Sequence, residues 1–325
     1  MKKIKLLVCI LSILICALLV GGNSKVNYAN ENDVETIDVI LLAGQSNMVG
    51  FSRLSLLDDK YNKEYPNVLM YNGGDCNGLE KNKLTYVHPG QGTGSAMALF
   101  GCEAFGPELG MASVLSSNNK KIAFIKFAYG GTAIYQNPEV NNTSSNKDNW
   151  HGYWDGATPG NLYKNFLSTV RNGLNALRDA GYNPVVKGLV YMQGETDGEI
   201  QFNNDVYYAA DAYEHNLTHL FDAFREEVST INNQDLSEMP IVFGEIFEYS
   251  KAVIEVRKIV EAQYKVGQLD NNYLIETSDL LITSKVDDWH WNGDWMYWLG
   301  VRFGEKIYET VYGLSTDEYS DGYEE

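Results

Sequence analysis

A serine that follows an apolar run is the first residue in the sequence that could do chemistry. Ser46 lies between Gln45 and Asn47, shortly after the run 36–42, and Gly44 would permit the sharp turn that exposes a hydroxyl. A serine there can act as a nucleophile if a base is near, but serine after a strand is more often a helix cap. The motif alone leaves both interpretations open.

A candidate base lies near the C-terminus, ahead of the last predicted helix. Asp287 stands three residues before His290. At this spacing a carboxylate can fold back and accept the imidazole Nδ1 proton, which leaves Nε2 free to take a proton from a serine. Such spacing is common by chance, so it supports a catalytic role only in combination with the serine.

Two further segments offer polar groups at predicted strand ends. The pair Gly130 and Gly131 would let the backbone approach a ligand and donate an N–H, although a tight turn explains it equally well. The other segment holds Gln193, Glu195 and Asp197, which are an amide donor and two close carboxylates. A carboxylate pair could serve a glycosidase, so a glycoside hydrolase using Glu195 and Asp197 remains an alternative.

The elements that must position these residues are short apolar runs alternating with helical patterns. We predict strands at 36–42, 121–128, 185–192, 241–246 and 273–276, and helices at 107–116, 162–180, 205–229, 251–267 and 295–312. This alternation predicts a three-layer α/β/α sandwich with a doubly wound, mainly parallel five-stranded sheet. In such a sheet the ligand lies at the carboxyl ends of the strands, where the residues above are found. The stretches 51–105 and 135–160 are predicted to be loops.

Five sequence blocks in order resemble the SGNH hydrolases, and among them the sialate O-acetylesterase-like branch that includes acetylxylan esterases of carbohydrate esterase family six. The resemblance covers roughly 37–308 and rests on the blocks 44–48, 105–109, 130–132, 193–195 and 287–290. Most of the superfamily has asparagine in the fourth block where this chain has Gln193, and the sialate-esterase branch has glutamine. The resemblance therefore implies an SGNH-type, flavodoxin-like fold and this branch.

The resemblance also implies residue roles. Ser46 corresponds to the nucleophile, His290 to the general base and Asp287, rather than Asp288 with its poorer spacing, to the residue that orients the base. The expected oxyanion donors are the backbone N–H of Ser46, one backbone N–H of the glycine pair and the Gln193 side chain. The residues expected to contact substrate are Gln45, Asn47, Glu195, Trp289 and Trp291.

The predicted function is that of a secreted carbohydrate O-acetylesterase acting on acetylated xylan or O-acetylated sialic acid through a Ser-His-Asp mechanism. No cofactor or metal is expected. A non-catalytic carbohydrate-binding protein on a hydrolase scaffold is a second alternative, but it would lack one of the blocks. The oligomeric state is left open.

Composition and charge limit the possible partners. Three early lysines followed by the apolar run 6–20 predict a signal peptide over 1–29. The run is short for a transmembrane helix, although an uncleaved anchor remains an alternative, and no stable membrane insertion of the mature chain is expected. Removal of the signal peptide takes four lysines from a net charge of −18 and leaves −22, which argues against nucleic acid as a partner. The remaining 30–325 are predicted to form one esterase domain with an acidic tail at 317–325. Cys76 and Cys102 could pair outside the cell.

Overall fold

The computed structural model describes residues 34–76, 78, 80–93, 103–117, 120–136, 148–199, 206–282 and 287–313. The chain divides into two units, Met1–Val34 and Glu35–Glu325. The predicted signal peptide, the acidic tail and Cys102 lie outside the described residues, and the single domain over 30–325 stays a prediction. Cys76 has a free thiol, and burial raises its pKa to about 11. The thiol is therefore protonated at neutral pH.

A seven-stranded sheet forms the centre of the second unit. Its strands in chain order are β1 (Glu35–Gly44), β3 (Tyr65–Asn72), β4 (Leu84–Val87), β6 (Ile122–Ala128), β7 (Tyr182–Met192), β8 (Ile241–Gly244) and β9 (Asn272–Ile275). They lie in the order β4-β3-β6-β1-β7-β8-β9, and only β4 is antiparallel to its neighbour. The central strands β1 and β6 are apolar and almost wholly buried, as expected of strands covered on both faces. A separate two-stranded sheet pairs β2 (Ser52–Arg53) with β5 (Ala104–Phe105).

Helices pack on both faces of the large sheet. In chain order they are α1 (Ser46–Val49), α2 (Glu108–Leu115), α3 (Asn161–Asp179), α4 (Glu195–Glu199), α5 (Val206–Asp211), α6 (Tyr213–Asn232), α7 (Val256–Val266) and α8 (Asp294–Tyr312). Short 3₁₀ turns occur at Leu54–Leu56 and Trp154–Gly156. One face carries α3, α6 and α7, and the other carries α2 and α8. A Cβ on Gly110 would lie 2.0 Å from the Tyr297 carbonyl oxygen, so α2 and α8 approach closely only because this residue has no side chain.

The predicted α/β/α class and mainly parallel sheet are confirmed, but the sheet has seven strands rather than five. Both additional strands, β3 and β4, lie in the stretch 51–105 that the sequence analysis assigned to loops. The second and third residues of β3, Pro66 and Asn67, are exposed, and such residues are typical of turns. The helix predicted at 205–229 is divided between α5 and α6. None of the helices in the described ranges has the length and apolarity needed to cross a membrane.

Candidate active site

Ser46 is the first residue of α1, directly beyond the end of β1. Gly44 has a φ of +145°, and a Cβ there would lie 2.0 Å from the carbonyl oxygen of Met192 at the end of β7. Only glycine allows the two strand ends to lie so close. The Gln45 N–H donates to that same carbonyl over 2.8 Å, which fixes the turn. The nucleophile candidate therefore lies at the carboxyl edge of the two central strands, with 5% of its surface exposed.

A buried ion pair stabilises the end of α1, the helix that begins with Ser46. Lys126 on β6 donates to Glu108 Oε2 over 2.7 Å and to the carbonyl of Val49, at the end of α1, over 3.1 Å. The other carboxylate oxygen of Glu108 accepts from the Gly106 N–H over 2.9 Å. Both charged side chains are almost fully buried. The sequence block at 105–109 thus supports the serine turn and does not enter the cavity.

The three residues expected to act together are in hydrogen-bonding contact. His290 Nε2 is 2.7 Å from Ser46 Oγ, and His290 Nδ1 is 2.9 Å from Asp287 Oδ2. Asp287 Oδ1 accepts from the backbone N–H groups of His290 and Trp289, at 3.0 and 3.3 Å. Burial would raise the pKa of Asp287, but the hydrogen bonds and charge of His290 outweigh it and the pKa is lowered. The carboxylate is therefore ionised and faces the imidazole, and this geometry lets the ring take a proton from the serine.

The loop that carries His290 is held in place by its neighbours. Phe51 stacks on the imidazole, with ring centroids 5.0 Å apart and planes 8° from parallel. Asn47 Nδ2 donates to the carbonyl of Trp289 over 2.8 Å. Asp288 points elsewhere, because its carboxylate accepts from the hydroxyl of Ser250 and from the backbone N–H of Lys251. Asp287 is thus the aspartate of this pair that contacts the histidine.

A cavity of about 380 Å³ opens beside Ser46 and His290. Its lining residues are Gln45, Ser46, Phe51, Asp75, Tyr129, Gly130, Gly131, Glu195, Thr196, Glu199, Trp289 and His290. In the described part of the chain, the backbone N–H groups of Ser46, Gly130 and Gly131 donate no hydrogen bond. A Cβ placed on Gly130 would lie 3.7 Å from the Cβ of Ser46, so the glycine backbone lies beside the serine. The cavity therefore has backbone N–H groups near the serine hydroxyl that no acceptor among the described residues engages.

The expected oxyanion role of Gln193 does not fit the structure. Its Nε2 donates to Asp197 Oδ2 over 2.6 Å and to the carbonyl of Thr132 over 2.9 Å, while its Oε1 accepts from the Tyr213 hydroxyl. Both amide hydrogens are thus engaged, and the residue is outside the cavity lining. Gln193 instead ties the loop after β6 to the start of α4.

The carboxylate pair proposed for a glycosidase is also not formed. Asp197 is fully buried and accepts from Gln193 and from the backbone N–H groups of Ile134 and Tyr135. Burial raises its pKa to about 6. Asp197 does not line the cavity, so it cannot act with Glu195 as the carboxylate pair of the alternative glycosidase mechanism.

Glu195 is a buried carboxyl group in the wall of the cavity. Its Oε1 accepts from Asn47 Nδ2 over 2.6 Å, whereas Oε2 is buried without a hydrogen-bond partner among the described residues. Burial raises its pKa to about 7, and burial also raises the pKa of Glu199 nearby. Glu195 therefore carries a proton for part of the time at neutral pH.

Three of the five expected substrate contacts line the cavity, namely Gln45, Glu195 and Trp289. The other two, Asn47 and Trp291, do not line it. Asn47 is fully buried and connects Glu195 to the histidine loop. Trp291 is also fully buried, and its indole N–H donates to the Leu280 carbonyl over 3.2 Å. Both residues support the site from behind.

Five lining residues were not identified from the sequence: Phe51, Asp75, Tyr129, Thr196 and Glu199. Tyr129 directly follows β6 and Asp75 follows β3, so the rule that residues after strands approach the ligand applies to both. In the parts of the chain that are described, no group of three or more His, Cys, Asp or Glu side chains is arranged to hold a metal ion.

Sequence similarity identifies the family of the chain. The sequence model of the family described as "Carbohydrate esterase, sialic acid-specific acetylesterase" matches residues 36–309, which is most of the chain. The chain belongs to this family. The protein is therefore a carbohydrate acetylesterase, a carboxylic-ester hydrolase whose substrate is an acetylated carbohydrate. No curated protein sequence matches it.

Solved structures share the fold of this carbohydrate acetylesterase. A protein from Arabidopsis thaliana is 17% identical with a TM-score of 0.59, covering 85% of this chain and 99% of its own. NanS is 15% identical with a TM-score of 0.61, covering 86% and 99%. A carbohydrate acetylesterase from Xanthomonas citri is 15% identical with a TM-score of 0.52, covering 85% of this chain and 57% of its own. At these identities the likeness concerns the fold alone.

Proposed function

We propose that this esterase removes acetyl groups from a neutral glycan by a two-step acyl transfer with Ser46 as nucleophile. His290 takes the proton of Ser46 as Oγ attacks the acetyl carbonyl carbon. The tetrahedral oxyanion is stabilised by the backbone N–H groups of Ser46 and of the pair Gly130 and Gly131. The intermediate then collapses, and His290 gives its proton to the departing sugar oxygen. Water, deprotonated by His290, hydrolyses the acetyl-enzyme to acetate and regenerates the serine.

The observation that carries this proposal is the continuous hydrogen-bonded chain from Asp287 through His290 to Ser46, ending in the cavity. An ionised Asp287 keeps the imidazole proton on Nδ1 and stabilises the imidazolium that forms during attack. Apart from the substrate and water, the groups that act in these steps belong to the chain.

A neutral sugar is supported by the charges in the cavity wall. The wall contains the carboxyl groups of Asp75, Glu195 and Glu199, and none of the described lining residues is lysine or arginine. The carboxylate of a sialic acid would face these acids without a cationic partner, which is unfavourable in a partly buried site. An acetylated neutral glycan such as xylan avoids this repulsion.

We also propose that the enzyme acts outside the cell or at its surface. Lys2, Lys3 and Lys5 precede the apolar run 6–20, the pattern of an export signal. The excess of acids suits a protein in an extracellular solution. N-terminal sequencing of protein from the culture medium should give a start between residues 23 and 30. Retention of the chain inside the cell would contradict the proposal.

Acetate release from two substrates tests the substrate class. We expect the enzyme to release acetate from acetylated xylo-oligosaccharides at least ten times faster, in kcat/KM, than from 9-O-acetylated sialic acid. Methyl esterification of the sialic acid carboxylate is the matched control. It removes the negative charge and should therefore reduce the difference in kcat/KM between the two substrates. A preference for the free sialic acid would overturn the proposal of a neutral substrate.

A further inference from the structure

A second cavity of about 360 Å³ lies next to the one that contains Ser46. Its lining residues are Gly73, Gly74, Lys81, Asn82, Phe127, Tyr129, Asp148, Leu162, Asn165, Ser168, Thr169 and Asn172. Its volume falls within the range of about 300–1,000 Å³ that is common for ligand pockets. None of these residues takes part in the acyl transfer described above.

The two cavities share a wall. Tyr129, which is 49% exposed, lines both of them. Gly73 and Gly74 line the second cavity, and the next residue, Asp75, lines the first. The N–H groups of Gly73 and Asp75 donate to the carbonyls of Lys126 and Ala128, both over 3.0 Å, and so continue the pairing of β3 with β6. The wall between the two cavities is therefore hydrogen-bonded to the end of β6.

The polar side chains of the second cavity are available to a ligand. Asn165, Ser168 and Asn172 are spaced three and four residues apart, so they lie on one face of α3. The turn after β3 adds Asn82. Among the described residues, no side-chain hydrogen bond engages any of these four. Amides and hydroxyls both donate and accept hydrogen bonds, as the hydroxyls of a sugar do.

The remaining lining residues favour an uncharged sugar. Lys81 and Asp148 contribute one charge of each sign, so the cavity has no strong preference for an anion or a cation. The half-exposed Tyr129 provides aromatic surface for the apolar face of a sugar ring, whereas Phe127 lines the cavity from the core and is almost fully buried. Free amides beside an aromatic wall form a surface on which a sugar can both stack and hydrogen bond.

We propose that the second cavity binds the sugar units adjoining the acetylated one, so that the substrate is a neutral oligosaccharide lying across Tyr129. This inference rests on the proposed function, since it places the acetylated unit beside Ser46. It assigns substrate recognition to α3 and to the turn after β3, which are remote in sequence from every residue of the acyl transfer.

Chain-length dependence tests the proposal. The substrates are acetylated xylotetraose, acetylated methyl xyloside as a single sugar, and 4-nitrophenyl acetate, which has no sugar. We expect kcat/KM for the tetraose to exceed that for the single sugar by about tenfold or more. In the variant Asn165→Ala/Asn172→Ala, the tetraose rate relative to that variant's own 4-nitrophenyl acetate rate should fall roughly tenfold, because two amide contacts are lost. The loss should appear in KM.

Asn175→Ala provides the matched control. Asn175 is exposed on the same helix, accepts a hydrogen bond from Arg178 and lies outside the cavity lining. This variant should keep the parent ratio of tetraose to 4-nitrophenyl acetate rates. Equal rates on the tetraose and the single sugar, or an unchanged ratio in the double variant, would overturn the subsite.

A binding measurement separates this inference from the proposed function. Saturation-transfer NMR with unacetylated xylotetraose and the Ser46→Ala protein requires no turnover. We expect signal transfer to the sugar that weakens in Ser46→Ala/Asn165→Ala/Asn172→Ala. If xylotetraose binds in this way but the parent enzyme releases no acetate from the acetylated sugars, the subsite stands and the proposed substrate fails. No transfer to xylotetraose would overturn the subsite, whatever the acetate assay shows.

Discussion

Replacing Asp287 with asparagine tests how the histidine is oriented. Asp287 Oδ1 accepts two backbone N–H groups and Oδ2 accepts the imidazole Nδ1 proton. In Asp287→Asn the single remaining oxygen must face the two backbone donors, so the new NH₂ group faces Nδ1. The imidazole then accepts at Nδ1 and holds its proton on Nε2, 2.7 Å from Ser46 Oγ. In this tautomer the ring cannot take the proton of the serine.

The expected loss is large because the wrong tautomer removes the general base. Asp-to-Asn replacement in a Ser-His-Asp site costs about 10⁴-fold in kcat, or roughly 5.5 kcal/mol of transition-state stabilisation. The assay is the steady-state hydrolysis of 4-nitrophenyl acetate, with circular dichroism to confirm that the variant is folded.

Asp288→Asn is the matched control for this variant. Asp288 is the adjacent aspartate, but its carboxylate contacts Ser250 and the Lys251 backbone rather than the histidine. Asp288→Asn should keep kcat within about threefold of the parent. A folded Asp287→Asn enzyme with more than a tenth of the parent activity, or a comparable loss in Asp288→Asn, would refute the reasoning about the tautomer.

Three further predictions concern the groups around the site. Gln193→Ala should lower kcat by less than tenfold while lowering the melting temperature, because its amide braces Asp197; a loss of 100-fold or more would restore the oxyanion role. Lys126→Met leaves Glu108 buried without its partner and should reduce the free energy of unfolding by about 3–5 kcal/mol, as urea denaturation will show; a loss below about 1 kcal/mol would contradict this. Burial raises the folded-state pKa of Glu195 from 4.5 to about 7, so its contribution to stability is complete below pH 4.5 and is lost as pH rises through 7. The free energy of unfolding of the parent, relative to that of Glu195→Gln, should therefore fall by on the order of 3 kcal/mol between pH 4.5 and pH 7. If the two proteins differ by the same free energy at every pH, the pKa of Glu195 is not raised.

The sequence predicted where the chain turns better than where its side chains point. Ser46 and Gly130 follow buried strands, and the spacing of Asp287 and His290 permits their contact, so the rule about strand ends placed them correctly at one edge. Asn47 also lies there, but successive residues of a helix point about 100° apart. With Ser46 facing the cavity, Asn47 faces Glu195 behind it.

Side-chain competition explains why the Gln193 amide does not face the cavity. The residue does lie at the end of β7, but Asp197 follows four residues later and captures one of its amide hydrogens. The Thr132 carbonyl takes the other. A sequence motif does not reveal these two hydrogen bonds, because they depend on how the loop after β6 folds against α4.

The missed strand β3 explains why Asp75 was missed. The exposed Pro66 and Asn67 obscure the start of the strand, so the residue after its end was assigned to a loop. Once β3 is placed beside β6, the turn at Gly73–Asp75 reaches the edge where Ser46 lies. Gly73 and Gly74, which line the second cavity, were overlooked for the same reason.

Acetate release by the parent enzyme and by Ser46→Ala is the measurement that tests the central claim most directly. Acetylated xylo-oligosaccharide and 4-nitrophenyl acetate are the substrates, and circular dichroism confirms that both proteins are folded. The mechanism predicts release by the parent and no release above background by the variant. Undiminished release by a folded Ser46→Ala protein would contradict a nucleophilic Ser46 and place the chemistry elsewhere in the fold.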